Sequence, residues 1–209
     1  MTLRQVVLSA VVLTALTLLA VFLIDGPVAL QVQGIVPAAK AAVNPFVTAV
    51  ELLFGFPLSK FATGAFLVLL SLALFPVARL RSTAWAILYL GVTHLTARLI
   101  AGVLKNVFLR ARPYEAVAGS EWQDRFFIEG GSSMPSGHAA HFWALFFAVT
   151  FTFPRLRIPA LILAILVSIS RVVVNDHYVS DVLASAVIAA FVSAGLALAF
   201  RRKLRQQST

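Results

Sequence analysis

Apolar positions in this chain come in long unbroken runs, and polar residues are confined to the gaps between them. Six runs approach the ~20 residues that a bilayer-crossing helix needs: 5–24, 58–78, 84–104, 139–154, 158–173 and 179–200. Each is apolar on all sides rather than striped, which suits lipid on one face and packed helices on another. The fourth and fifth are short, and Pro154 and Pro159 punctuate the gap between them. The first run is longer than the ~7–15-residue apolar core of a signal peptide. No small-residue cleavage site follows Ile24-Asp25-Gly26 directly, so this run reads as a retained helix. Two gaps are longer than the rest. Residues 25–57 hold Pro27, Pro37, Pro45 and Pro57 between apolar stretches and predict short helices lying in the membrane interface. Residues 105–138 are the most polar part of the chain and are expected to form short interfacial helices too, anchored by Trp122, Phe126 and Phe127. The pattern predicts an all-α integral membrane protein with six transmembrane helices in one domain, 1–209, without a linker or repeat.

Composition sharpens this reading. The 209 residues are 60% hydrophobic and 12% charged, with a mean hydropathy of +0.94. Soluble domains are about 45–50% apolar and about 25% charged. A chain this poor in charge cannot clothe a soluble globule, which excludes a soluble enzyme and a disordered protein. The absence of cysteine excludes a disulfide scaffold and thiolate chemistry.

The formal net charge of +9 would suggest a nucleic-acid partner, but its distribution gives another cause. With six spans, one side carries Arg4, Arg79, Arg81, Arg155, Arg157, Arg201, Arg202, Lys203 and Arg205, and no acid. The other side and its helix ends carry Lys40, Lys60, Arg98, Lys105, Arg110, Arg112, Arg125 and Arg171, together with Asp25, Glu51, Glu115, Glu121, Asp124, Glu129, Asp176 and Asp181. The positive-inside rule then assigns both termini and the short arginine loops to the cytoplasm. The basic excess is a topology signal, and no nucleic-acid partner follows from it.

Polar residues that solvation does not explain gather at the outer ends of helices three to six, in segments 105–113, 135–138 and 170–181. The first reads K-N-V-F-L-R-A-R-P; on a continuing helix Lys105 and Arg112 are two turns apart on one face. The second is Met134-Pro135-Ser136-Gly137-His138, just before an apolar helix. Ser136 is a natural N-cap, Gly137 allows close backbone approach, and a helix N-terminus favours an anion. The third runs from Ser170-Arg171 to His177 and Asp181, a pair four apart that shares a helix face. A carboxylate on one imidazole nitrogen fixes the tautomer and leaves the other nitrogen as base or nucleophile. Cations, a helix N-terminus, two histidines and an orienting acid together describe a phosphate-handling site.

These three groups resemble the signature KxxxxxxRP … PSGH … SRxxxxxHxxxD of the type 2 phosphatidate phosphatase superfamily of membrane lipid phosphatases. Every fixed position is occupied, from Lys105 to Asp181. The resemblance implies that His177 is the nucleophile, that Asp181 orients it, and that His138 is the general acid. Lys105, Arg112, Ser136, Gly137 and Arg171 would bind the phosphate oxygens. It implies no cofactor and no metal; His138 and His141, three apart, lack a third ligand. The expected partners are the bilayer and a lipid phosphate: lipid A phosphate, undecaprenyl pyrophosphate, phosphatidylglycerophosphate or phosphatidate. The oligomeric state is left open. The expected setting is a bacterial inner membrane with the site on its periplasmic face.

Rival readings differ in how much of the signature they use. Vanadium-dependent haloperoxidases share the signature but are large soluble proteins. A phosphotransferase would need the same residues, changing only the acceptor. A small-anion transporter could use buried cations, yet it leaves His138 and the His177–Asp181 pair without work. His94 and Arg98, inside helix three, read either as contacts to a second headgroup or as interhelical hydrogen-bond partners.

Overall fold

The structure is a computed structural model that describes residues 2–116, 121, 123–201 and 203. Gly119, Trp122, Arg202 and Arg205 lie outside the described residues. Among the described residues every regular element is helical: α1 (Leu3–Leu19), α2 (Asp25–Gln33), α3 (Val36–Leu53), α4 (Ala62–Leu74), α5 (Arg81–Phe108), α6 (Gly137–Thr152), α7 (Arg157–Val173) and α8 (Val179–Ala199). All six apolar runs are therefore helices, but not all are of spanning length. Among the described residues, four stretches are long and apolar enough to cross a membrane: Leu3–Gln33, Ala78–Phe108, Pro154–Val173 and Val179–Ala199. Helices α4 and α6 have 13 and 16 residues.

The first run departs from expectation at its far end. Thr2 starts it with a capping box, its hydroxyl accepting from Gln5 N (3.3 Å) while the Gln5 side chain accepts from Thr2 N (2.8 Å). The helix does not stop at residue 24. A π-helical turn, Ala20–Ile24, leads straight into α2, so 25–33 extends the first helix instead of forming a separate one. Such a turn changes helix phase locally and is often found near functional residues. Here it precedes Asp25, which is 1% exposed.

Helix packing follows from small residues and a few polar rivets. Gly64 on α4 and Gly91 on α5 face each other. A Cβ at Gly64 would lie 2.5 Å from His94 Nδ1, and one at Gly91 would lie 2.9 Å from Val68. Close backbone approach of this kind is how helices associate in an apolar medium. Tyr89 on α5 donates to the Ser193 carbonyl of α8 (2.8 Å), and Trp143 on α6 donates to Ser168 Oγ of α7 (3.0 Å). Helix α6 packs against α5, α7 and α8 and buries both faces, including His141, Phe142, Phe146 and Phe147. By contrast α7 turns Ile158, Ile162, Ile165 and Ile169 outward.

The 105–138 segment is not a set of interfacial helices. Among its described residues it finishes α5, contains one short turn (Gln123–Arg125), begins α6, and otherwise forms a strapped loop. Leu109 ends α5 in the left-handed region (φ 41°), and Pro113 follows. The returning strap bonds to the emerging chain, Phe127 N to Phe108 O (3.0 Å), Ile128 N to Leu109 O (2.8 Å) and Ser133 N to Arg110 O (2.8 Å). Gly131 lies so close that a Cβ there would sit 2.3 Å from the Leu109 carbonyl oxygen. Phe127 is 74% exposed, whereas Phe126 turns inward over Arg110.

Candidate active site

The N-terminal ends of α6 and α8 meet the C-terminal ends of α5 and α7 in one polar cluster, and the eight residues singled out from sequence lie at these ends or in the loops that adjoin them. Ser136 caps α6, its hydroxyl accepting from Ala139 N (3.4 Å). Its own N–H donates to the Asp181 carbonyl (3.1 Å), and Ser185 Oγ donates to the carbonyls of both Ser136 and Asp181 (2.8 Å each). The 135–138 segment is thereby fastened to the first turn of α8.

His177 does not share a helix with Asp181, because α8 begins only at Val179. It lies in the preceding turn, where Asn175 takes a left-handed φ of 60° and the His177 N–H donates to Arg171 O (3.1 Å). The contact expected from the spacing nevertheless forms: His177 Nδ1 lies 3.4 Å from Asp181 Oδ2. That carboxylate, fully buried, also accepts from Ser133 Oγ (2.5 Å) and Tyr178 N (2.9 Å). Its other oxygen accepts from Arg110 Nη1 (2.6 Å). Burial lowers the pKa of His177 below the usual 6.5, against the opposing pull of Asp181, so the imidazole is held neutral.

The cations converge from three directions. Lys105 Nζ donates to the Ser132 carbonyl and toward that of Ser133 (3.4 Å). Arg112 is not one face along from Lys105, because the helix ends between them. It lies in the loop, where its N–H donates to Glu115 Oε2 (2.7 Å). Arg171, in the last turn of α7, pairs with Asp176. Lys105 and Arg112 are charged neighbours of His177, and Lys105, Arg98, Arg171 and His177 are those of His138. His138 itself faces Glu51 of α3, Nε2 to Oε1 2.7 Å, with Phe56 stacked on its ring at 4.9 Å. Arg98 donates to the Gly137 carbonyl, and a Cβ at Gly137 would lie 2.8 Å from Arg98 Nη1. His94 and His141 bond to each other (2.8 Å) across α5 and α6, so His138 and His141 turn to different partners.

A family model described as the PAP2 superfamily matches residues 86–205, more than half of the chain and all eight residues singled out from sequence. The chain belongs to the PAP2 superfamily. It is 34% identical to the lipid A 1-phosphatase of Rhizobium johnstonii over 124 residues, 57% of this chain and 50% of that protein. It is 30% identical to the lipid A 1-phosphatase of Rhizobium etli over 164 residues, 69% of each chain. The chain thus spans about half the length of the first of these relatives. The crystal structure of a transmembrane PAP2-type phosphatidylglycerolphosphate phosphatase from Bacillus subtilis superposes with a TM-score of 0.52, at 24% identity, covering 93% of this chain and 96% of that one. That likeness extends the shared fold beyond the family match to nearly the whole chain.

Glu51, Arg110 and Asp25 carry no site role in the sequence beyond their charge. Arg110 is wholly buried between Asp25 (Nη2 to Oδ2, 2.7 Å) and Asp181, and Tyr178 and Phe126 cover its guanidinium at 4.0 and 4.7 Å. Asp25 also accepts from Ser180 N (3.0 Å) and from the Ser180 hydroxyl. Burial opposes the Arg110 charge, but the two carboxylates hold it and raise its pKa. The available signal was Asp25 itself: an acid at the end of an apolar run is expensive without a partner.

Proposed function

We propose that this protein is a membrane lipid phosphatase that hydrolyses a phosphomonoester or pyrophosphate of a lipid through a phosphohistidine intermediate. The observation that carries the reading is the buried His177 held by Asp181 beside Lys105, Arg112 and Arg171, with His138 close by. Lipid A phosphate is the substrate we favour, on the strength of the two lipid A 1-phosphatases among its relatives.

The chemistry follows from the assigned roles. His177 Nε2 attacks phosphorus while the P–O bond to the lipid breaks, and His138 gives its proton to the departing alkoxide. Asp181, on Nδ1, stabilises the imidazole as its nitrogen bonds to phosphorus. Lys105, Arg112, Arg171 and the α6 N-terminus at Ser136 and Gly137 balance charge on the equatorial oxygens. His138 then takes a proton from water, the hydroxide oxygen attacks phosphorus, and the P–N bond breaks to free phosphate and His177. No divalent metal enters this scheme.

The same reading makes the chain one integral membrane domain with six crossings, α4 and α6 being the short ones. The acid-free basic positions support cytoplasmic termini and an active site on the periplasmic face of a bacterial inner membrane. Helix α3 then lies at the outer interface. Phosphate release from a panel of purified lipids in excess EDTA, with His177→Ala as the blank, tests the assignment. Release from lipid A above the blank is expected. Activity that vanishes in EDTA and returns with magnesium would overturn the metal-free scheme, and label passed to a second lipid instead of water would make the enzyme a phosphotransferase.

A further inference from the structure

The residue facing His138 comes from outside the signature. Glu51 lies near the end of α3, 87 positions away, and its Oε1 accepts from the imidazole at 2.7 Å. The contact is built rather than incidental. The chain reverses just after Glu51 through Gly55 at a φ of 71°, and the Glu51 carbonyl accepts from Phe56 N (2.9 Å). Phe56 then stacks on the His138 ring, and Phe54 meets His141 and Phe142 edge-on at 5.5 and 5.0 Å. Aromatic contacts therefore clamp the end of α3 against the first turns of α6.

The electrostatics give this carboxylate a task. A general acid must hold a proton until the leaving oxygen needs it. Burial lowers the pKa of His138 to about 3, and the groups that add to this are Arg171 from α7, His177 from the turn before α8, and Arg98 and Lys105 from α5; His141 is its neighbour on its own helix. Every one is a cation or a histidine, and the cations that would hold phosphate also repel an imidazolium. Glu51 is the acid in contact with the ring.

We propose that Glu51 is a positioning residue for the general acid: its carboxylate favours the protonated form of His138 among the phosphate-binding cations and engages Nε2, so that Nδ1 delivers the proton. This rests on reading His138 as the general acid. Glu51 never touches the reacting atoms in this account; it acts through the histidine.

Glu51→Gln tests it in the full-length, detergent-purified protein, since glutamine keeps the shape and an accepting oxygen but removes the charge. The side chain is 31% exposed, so the variant should melt like the parent. Two probes are compared: a short-chain dialkyl-glycerol phosphate, whose alkoxide must be protonated to leave, and p-nitrophenyl phosphate, whose phenolate leaves without much help. Above neutral pH, turnover of the alkyl phosphate should fall about tenfold and that of p-nitrophenyl phosphate less than about twofold, as expected for loss of general-acid assistance. The alkaline limb of kcat/KM should move about one unit toward lower pH. Glu51→Asp, which keeps the charge but shortens the reach, should fall between parent and Gln. Equal losses on both probes, or an unmoved limb, would reduce Glu51 to a structural contact and sink the proposal. So would tighter vanadate inhibition with an unmoved limb, which would mark Glu51 as a plug that competes with phosphate. The parent reading fails separately, by activity persisting in His177→Ala.

Discussion

His177 is 4% exposed, and its partner Asp181 is tied to Ser133, Tyr178 and Arg110, and through Arg110 to Asp25 on the first helix. His138 keeps 25% of its side chain exposed and has one carboxylate, Glu51, which is itself 31% exposed. The two histidines so central to the proposed reaction are thus held in different ways. The nucleophile side is a closed ionic chain that spans helix ends far apart in sequence, and every member depends on the next. The acid side is a single contact at the rim. A nucleophile needs one fixed nitrogen and a neutral ring, which burial supplies. A proton donor must exchange with water between turnovers, which exposure allows.

This contrast can be broken most severely at Arg110. Removing it leaves Asp25 and Asp181 buried without their cation, and breaking such a pair costs about 3–5 kcal/mol. Arg110→Met should lower the unfolding midpoint strongly in a denaturation series, whereas Glu51→Gln should scarcely move it. Equal midpoints for the two variants would mean that the buried chain contributes no more than a rim contact.

A smaller effect sharpens the same comparison through pH. Because burial sets the His177 pKa below 6.5, the ring stays neutral and competent as the pH falls through that value. Activity should decline only at more acidic pH, where the imidazole gains its proton. The acidic limb of kcat/KM measured on a lipid phosphate checks this, and a limb at or above 6.5 would show that His177 is not the depressed group described.

Much of this was legible in the chain, for reasons that also explain what was not. Apolar runs must be helices in an apolar setting, because backbone groups there have no water to satisfy them; hence all six appeared. Their ends were harder. Leu109 ends α5 without a glycine or proline of its own, so nothing in the sequence marks the stop that separates Lys105 from Arg112. The strap at 126–133 is held by backbone bonds that composition does not reveal. The signature residues could be read because each of the three groups is a short local pattern, even though the groups meet across contacts such as Ser133 with Asp181, 48 positions apart. Asp25, Glu51 and Arg110 read in the sequence only as charges, since their partners lie 85, 87 and 71 positions away. Long-range pairs of this kind leave one clue in a sequence, an ionisable group that its neighbours do not explain.

The central claim is a covalent bond between His177 and phosphorus, and one measurement addresses it directly. The purified protein is mixed with a lipid bearing a radiolabelled phosphate, quenched within the first turnover, digested and mapped. The account predicts label on the peptide containing His177, stable in base and lost in acid as a phosphoramidate should be, and absent from His177→Ala. Phosphate released at the normal rate with no label on that peptide, or label carried by another residue, would contradict it.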